Sequence, residues 1–136
     1  MTLPFRGAEP TRAHEDDAGL DLASAETLVI PSGQRRTVRL GTVVAIPTGH
    51  VGLLCPRSGL AAKHGITTLT VPGIIDSGFR GELRIVLFNT DPVPYRVRAG
   101  DRIAQLVIVP FAALAPVAQL LEISDRGAAS FGSTGT

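Results

Sequence analysis

Thr37-Val38-Arg39-Leu40 alternates polar and apolar residues at the head of a run that continues from Val38 to Ile46. A period of two places successive side chains on opposite faces of an extended chain, with Val38 and Leu40 toward a core and Thr37 and Arg39 toward water. The remaining apolar runs are short, rich in Val, Ile and Leu, and closed by Gly or Pro: Leu28 to Ile30, Val51 to Leu54, Ile66 to Val71, Leu83 to Phe88, Ile103 to Val109 and Val117 to Ile123. That punctuation is the signature of strands. Only Ser58 to Gly65 reads as helical, two turns at most, with Ser58 placed to cap its start and Gly65 to stop it. The expected architecture is all-β: a jelly-roll-like β-barrel or sandwich with one short helix.

A chain of 136 residues fits one domain, read as residues 1–125. From Asp125 the composition turns to Gly, Ala, Ser and Thr, so residues 126–136 read as a mobile C-terminal arm. Hydrophobic residues at 44% and charged residues at 18% exclude a disordered chain. No apolar run approaches the ~18–20 residues that a membrane span requires, so no membrane partner is expected. The first 30 residues lack the pattern of a secretory signal, and Cys55 alone cannot form an internal disulfide, which points to a reducing cytoplasm. A net charge of +1 gives no bulk field for nucleic acid, so any anion is caught locally. Twelve of the 13 basic residues are arginine, which suits bidentate capture of carboxylate or phosphate and equally reflects a GC-rich coding sequence.

Four stretches carry chemistry. Asp16-Asp17-Ala18-Gly19-Leu20-Asp21 sets three carboxylates in six residues, either a site for a hard cation such as Mg²⁺ or a solvated acidic turn. Pro56-Arg57-Ser58-Gly59 offers a guanidinium, a hydroxyl and backbone N–H groups at a helix start, an anion site or a plain cap. Gly73 to Glu82 has the look of a hairpin holding Asp76 between glycines, where a carboxylate could deprotonate a water or merely cap its own turn. The tail from Arg126 to Gly135 combines one arginine, hydroxyls, glycines and Phe131, the parts of a flap that wraps phosphates and stacks on a base. His14, His50, His64 and Cys55 lack the spacing of a zinc site or the partner of a nucleophile, and read as surface or packing residues.

In chain order these stretches resemble the five motifs of the trimeric all-β dUTP pyrophosphatases: Ala18-Gly19-Leu20-Asp21-Leu22, Pro56 to Ala61, Gly73 to Gly81, Gly100-Asp101-Arg102-Ile103-Ala104-Gln105 and Arg126 to Gly135. The resemblance spans residues 14 to 135. It implies hydrolysis of dUTP to dUMP and pyrophosphate with Mg²⁺ bridging the phosphates, which keeps uracil out of DNA and supplies dUMP for dTMP synthesis. By the same resemblance, Asp76 is the general base and Asp21 holds the metal through water, with Asp16 and Asp17 as solvated neighbours. Arg57, Ser58, Gly59 and Gln105 contact the phosphates, and Arg126, Ser133 and Thr134 close on the γ-phosphate. Phe131, beside Gly132, stacks on uracil, Ile74 and Ile75 after Gly73 offer backbone groups to its edge, and Arg84 is a further substrate contact. Phe79 stands where the family often has tyrosine, and its ring keeps the bulk that excludes ribose. Thr70 stands where an asparagine commonly contacts uracil, a shorter group that reaches the base through a water. Ala129-Ser130 replaces a common glycine pair and stiffens the arm.

Two alternatives belong beside this reading. A dCTP deaminase shares the fold, but its proton-shuttling glutamate would fall on Val86, and valine carries no proton. A regulatory module, in which nucleotide controls binding of a partner protein, is compatible with catalysis. Assembly enters on separate grounds: the apolar runs Ile103 to Val109 and Val117 to Ile123 exceed what one small core covers, which suggests an oligomer. The resemblance adds a homotrimer, each site drawing Asp76 from one subunit, the Arg57 and Gln105 loops from another and the Arg126 arm from a third.

Overall fold

Residues 37–46 alternate as the pattern requires: Val38, Leu40, Thr42, Val44 and Ile46 are buried and the residues between them are not. The structure, a computed structural model, describes residues 1–131, 134 and 135. In order these form β1 (Phe5–Gly7), β2 (Gly19–Ala23), β3 (Leu28–Ile30), β4 (Arg35–Arg39), β5 (Thr42–Val44), β6 (His50–Cys55), α1 (Ser58–His64), β7 (Ile66–Thr68), β8 (Gly73–Ile75), β9 (Arg84–Asn89), β10 (Tyr95–Val97) and β11 (Arg102–Pro110). Every pairing is antiparallel, in a four-stranded sheet β2-β11-β6-β8, a three-stranded sheet β4-β9-β7, and the pairs β1-β5 and β10-β3.

The sheets enclose one core without closing into a barrel. Leu22, Leu54 and Leu106 of the larger sheet and Val38, Ile85 and Leu87 of the smaller share one apolar cluster. Each such side chain contributes about 1.5–3 kcal/mol on burial, so this cluster outweighs any single polar contact. Buried Asn89 ties β9 to the β3 side, donating through Nδ2 to the Ile30 carbonyl at 3.0 Å and the Val93 carbonyl at 2.8 Å.

Strand β11 bonds to β2 on one edge and β6 on the other. Its ladder to β2 shifts register, with Arg102 opposite Ala23 but Ala104 opposite Leu22. Ile103 and Ala104 are consequently buried in succession. A regular strand would place Arg102 and Gln105 on opposite faces, and the bulge brings both to the same end of β2.

Three expectations are corrected. Arg57, not Ser58, is the N-cap of α1, no side chain caps that end, and Ser58 is the first helical residue. The stop at Gly65 stands: its φ of 60° is left-handed, and its N–H closes back on Ala61 and Leu60. Residues 73–82 are not a hairpin, because β8 pairs with β6 while β9 pairs with β4 and β7 in another sheet. The run Val117 to Ile123 forms no strand: Val117, Leu120, Leu121 and Ile123 are exposed. A strand needs a backbone partner and cover for its apolar face, and the described residues give the segment neither.

Glu82 fastens the approach to β9 onto the β4–β5 corner. Its carboxylate accepts Arg39 Nε at 3.1 and 3.2 Å and the Gly41 N–H at 3.0 Å. The hydrogen bond from Arg39 holds the Glu82 carboxyl below the usual carboxylate range. A lowered folded pKa gives stability that is present above the unfolded value and lost as pH falls through the folded one. We predict that stability declines as pH drops below about 4.3, the ordinary glutamate value, and that Glu82→Gln declines less steeply there. Urea midpoints from pH 7 to pH 3 check this; parallel profiles for the two proteins would contradict it.

Candidate active site

Strand register builds the first group of functional side chains. Gln105 lies opposite Asp21 of β2 and opposite Cys55 of β6, and Arg57 follows two residues after Cys55. The Asp21 carboxylate is gripped from both sides, Oδ1 by Arg57 Nε at 3.1 Å and Oδ2 by Arg102 Nη1 at 3.2 Å. Arg57 Nη1 also donates to the Arg102 carbonyl at 2.7 Å. With the Asp21 side chain only 14% exposed, solvent screens this triad less than a surface pair, so it fixes the Arg57 guanidinium.

Asp21, Arg57, Ser58, Gly59 and Gln105 line one cavity of about 400 Å³, together with Asp17 and Gly19. Gln105 Nε2 donates to the Pro56 carbonyl at 2.9 Å. Its Oε1 consequently lies against Gly19, where an added Cβ would stand 2.4 Å away, so only glycine admits the amide. Asp17 accepts the His14 N–H at 3.0 Å and shapes its own loop, while Asp16 is exposed. Guanidinium, hydroxyl and amide donors on one cavity wall suit phosphate oxygens. A separate cavity of about 460 Å³ beneath the N-terminal segment, with Leu3, Phe5, Leu20 and Ile108 in its lining, contains none of the expected site residues.

A second group gathers along β8. This strand pairs with β6 alone, so its other edge leaves backbone groups near Gly73, Ile74 and Ile75 without a strand partner among the described residues. The Thr70 hydroxyl lies beside Gly73. Asp76 follows the strand, exposed, and its carbonyl accepts the Phe79 N–H at 3.0 Å in a turn braced by Arg80, whose Nη1 donates to the Ser77 and Phe79 carbonyls. The Phe79 ring folds onto Gly81, where an added Cβ would stand 2.6 Å from it. Arg84 is exposed on β9, opposite Arg39.

The third group is the tail. Arg126 and Phe131 are exposed, and Arg126 Nε donates to the nearby Ala129 carbonyl at 3.0 Å. Thr134 is also exposed, and Gly132 and Ser133 lie outside the described residues. No described hydrogen bond or ion pair joins the three groups.

Sheet geometry measures their separation. From β2 to β8 is three strand steps, about 14 Å at ~4.8 Å each. Asp76 continues the register to the level of Val51, four residues from Cys55, which adds about 13 Å along the strands. Asp76 and the Asp21–Arg57 cavity of one chain are thus on the order of 20 Å apart. Arg102, which grips Asp21, is the candidate site residue that alternation alone misses. Its signal is its place in the Gly100 to Gln105 motif, three residues before Gln105, where a strictly alternating strand would turn it away.

The dUTPase family model matches residues 6–135, nearly the whole chain. The chain belongs to the dUTPase family. It is 51% identical over 129 residues to the deoxyuridine 5'-triphosphate nucleotidohydrolase of Thermobifida fusca, covering 93% of this dUTPase chain and 72% of that one. A mutant dUTPase of Staphylococcus bacteriophage 80alpha, solved with dUpNHpp, superposes with a TM-score of 0.88 at 33% identity over 99% of each chain. A mutant dUTPase of phage phi11 of S. aureus, described for its coordination of a structural Mg(II) ion, superposes at 0.80 with 31% identity, over 90% of this chain and 98% of that one.

Because the Gly19 position has no room beside Gln105, Gly19→Ala should leave the fold intact and push the Gln105 amide out of the cavity. Side-chain amide NMR resonances of Gln105 check this. A variant whose Gln105 signals and thermal midpoint both match the parent would contradict it.

Proposed function

We propose that the chain hydrolyses dUTP to dUMP and pyrophosphate as a homotrimer, in pockets shared between subunits. The reaction follows from the family. The observation that carries the shared pocket is the ~20 Å between Asp76 and the Asp21–Arg57 cavity within one chain, against the ~3 Å reach of a general base to its proton. Trimer formation also gives cover to the exposed apolar residues Leu114, Val117, Leu120, Leu121 and Ile123. The chemistry serves two ends, removing dUTP before uracil enters DNA and supplying dUMP for dTMP synthesis. No described helix is long and apolar enough to cross a membrane, and the free thiol of Cys55 suits the cytoplasm proposed here.

One subunit binds the phosphates through Arg57, Ser58, Gly59 and Gln105, with Asp21 and Arg102 holding the Arg57 guanidinium in place. A second contributes the β8 edge: Gly73, Ile74 and Ile75 read the uracil edge through their backbone, Thr70 assists through a water, and Phe79 packs under the deoxyribose. Arg84 adds a substrate contact. Asp76, exposed at the end of that edge, orients a water and takes its proton as the oxygen attacks the α-phosphorus. The bond from that phosphorus to the bridging oxygen breaks, and pyrophosphate leaves. The arm, residues 126–136, extends from the 1–125 domain of a third subunit, with Arg126, Ser133 and Thr134 on the γ-phosphate and Gly132 letting Phe131 lie on the base.

The cavity's oxygen donors fit Mg²⁺. Asp21 supplies a carboxylate for contact through water. Bound there, Mg²⁺ would neutralise charge on the triphosphate.

Val86, the position where a deaminase needs its glutamate, is aliphatic and sits within β9 opposite Thr37. Incubation with a panel of deoxy- and ribonucleoside triphosphates plus Mg²⁺ should yield dUMP and pyrophosphate from dUTP; ammonia or free phosphate as the product would refute the assignment. Asp76→Asn should bind nucleotide normally and turn over at least ~100-fold more slowly, the scale of a lost general base. A variant retaining a tenth of parental turnover would remove Asp76 from that role.

A further inference from the structure

A second cavity, of about 480 Å³, adjoins the phosphate cavity, and Arg57 stands in the wall of both. It opens between α1 and the turn that joins β10 to β11. Four arginines, Arg57, Arg96, Arg98 and Arg102, line it. His64 and Tyr95 form an aromatic wall, their ring centroids 5.0 Å apart. Burial pushes the Tyr95 phenol above its ordinary value.

Charge in this cavity is not balanced. Asp101 is its lining carboxylate, and Oδ2 of that group accepts the Arg98 backbone N–H at 2.8 Å. Asp21 offsets Arg57 and Arg102 from the other side. Arg96 and Arg98 enter none of the ion pairs among the described residues. Four guanidiniums against two carboxylates leave two positive charges in one concavity, in a chain whose whole net charge is +1. Arginines lining one short, open cleft match a short chain of phosphate oxygens. A nucleic-acid backbone would require an extended basic surface instead.

We propose that this cavity is an oligophosphate site that receives pyrophosphate as it leaves the phosphate cavity across Arg57. The identity of the anion rests on the dUTP-hydrolase reading; the anion site itself does not. Such a site would separate the leaving product from the path of the next nucleotide and would make pyrophosphate inhibition depend on Arg96 and Arg98, which have no part in the proposed dUTP contacts.

The test fills the phosphate cavity with dUpNHpp and titrates inorganic pyrophosphate by calorimetry, following the His64 ring resonances by NMR. One pyrophosphate per chain should bind and shift His64. The Arg96→Ala/Arg98→Ala double variant, verified as folded by circular dichroism, should bind it about tenfold more weakly, the scale for losing charge-assisted contacts. Its kcat/KM for dUTP should be unchanged while inhibition by pyrophosphate weakens. ATP in a parallel titration separates the two sources of the same chemistry: ATP binding more tightly than pyrophosphate would make this a second-nucleotide site and overturn the product role. No binding to the filled protein, or equal binding by parent and variant, would overturn the site. Because the free chain can be titrated without turnover, pyrophosphate binding here by a chain inactive on dUTP would sink only the assigned reaction and its product.

Discussion

The double pairing of β11, with its one-residue bulge, is the constraint on which the proposed phosphate-binding half depends. Pairing to β2 and β6 puts Asp21, Gln105 and Cys55 in one row across the sheet. The bulge at Ile103 and Ala104 keeps two apolar side chains in the core and lets Arg102 reach the same carboxylate that Gln105 faces. Core packing and site geometry are therefore one arrangement. The apolar burial that holds β11 in register also fixes the positions of Asp21, Arg57 and Gln105.

The two halves of the proposed pocket differ physically. The phosphate half is preorganised: Asp21 fixes Arg57 in advance, and the Pro56 carbonyl fixes Gln105. Preorganised donors pay little reorganisation when charge builds up on phosphoryl oxygens. The base-reading half is an exposed strand edge followed by a turn, with Ile74 59% exposed and an exposed Asp76. Exposed edges normally invite pairing with other chains. In the proposed trimer a neighbouring subunit would give that edge a use, since Asp76 and the Asp21–Arg57 cavity lie too far apart within one chain to act on the same phosphorus.

Much of this was legible in the residues. Alternation at Thr37 to Leu40 set the buried and exposed faces of β4, and Gly65 marked the end of α1, because period and left-handed backbone are local properties. The gathering of Asp21, Arg57, Ser58, Gly59 and Gln105 around one cavity followed the order of the motifs. The pairing of β8 with β6 was not legible, since Gly73 to Glu82 carries turn residues that suit either a hairpin or a crossing between sheets. Arg102 was hidden by the bulge, which breaks the rule used to assign its face. Val117 to Ile123 looked like a strand because hydropathy records a need for cover without saying whether a backbone partner lies beside it.

The most direct measurement mixes two inactive variants, Asp76→Asn and Arg126→Ala. Co-refolding them yields mixed trimers in which some pockets draw a native Asp76 from one chain and a native Arg126 from another. Pockets shared between subunits require dUTP hydrolysis to return on co-refolding, and not on simple mixing while subunits exchange slowly. Mixed trimers verified by mass that stay as inactive as the separate variants would contradict the shared pocket, and would mean that each site takes both residues from a single chain.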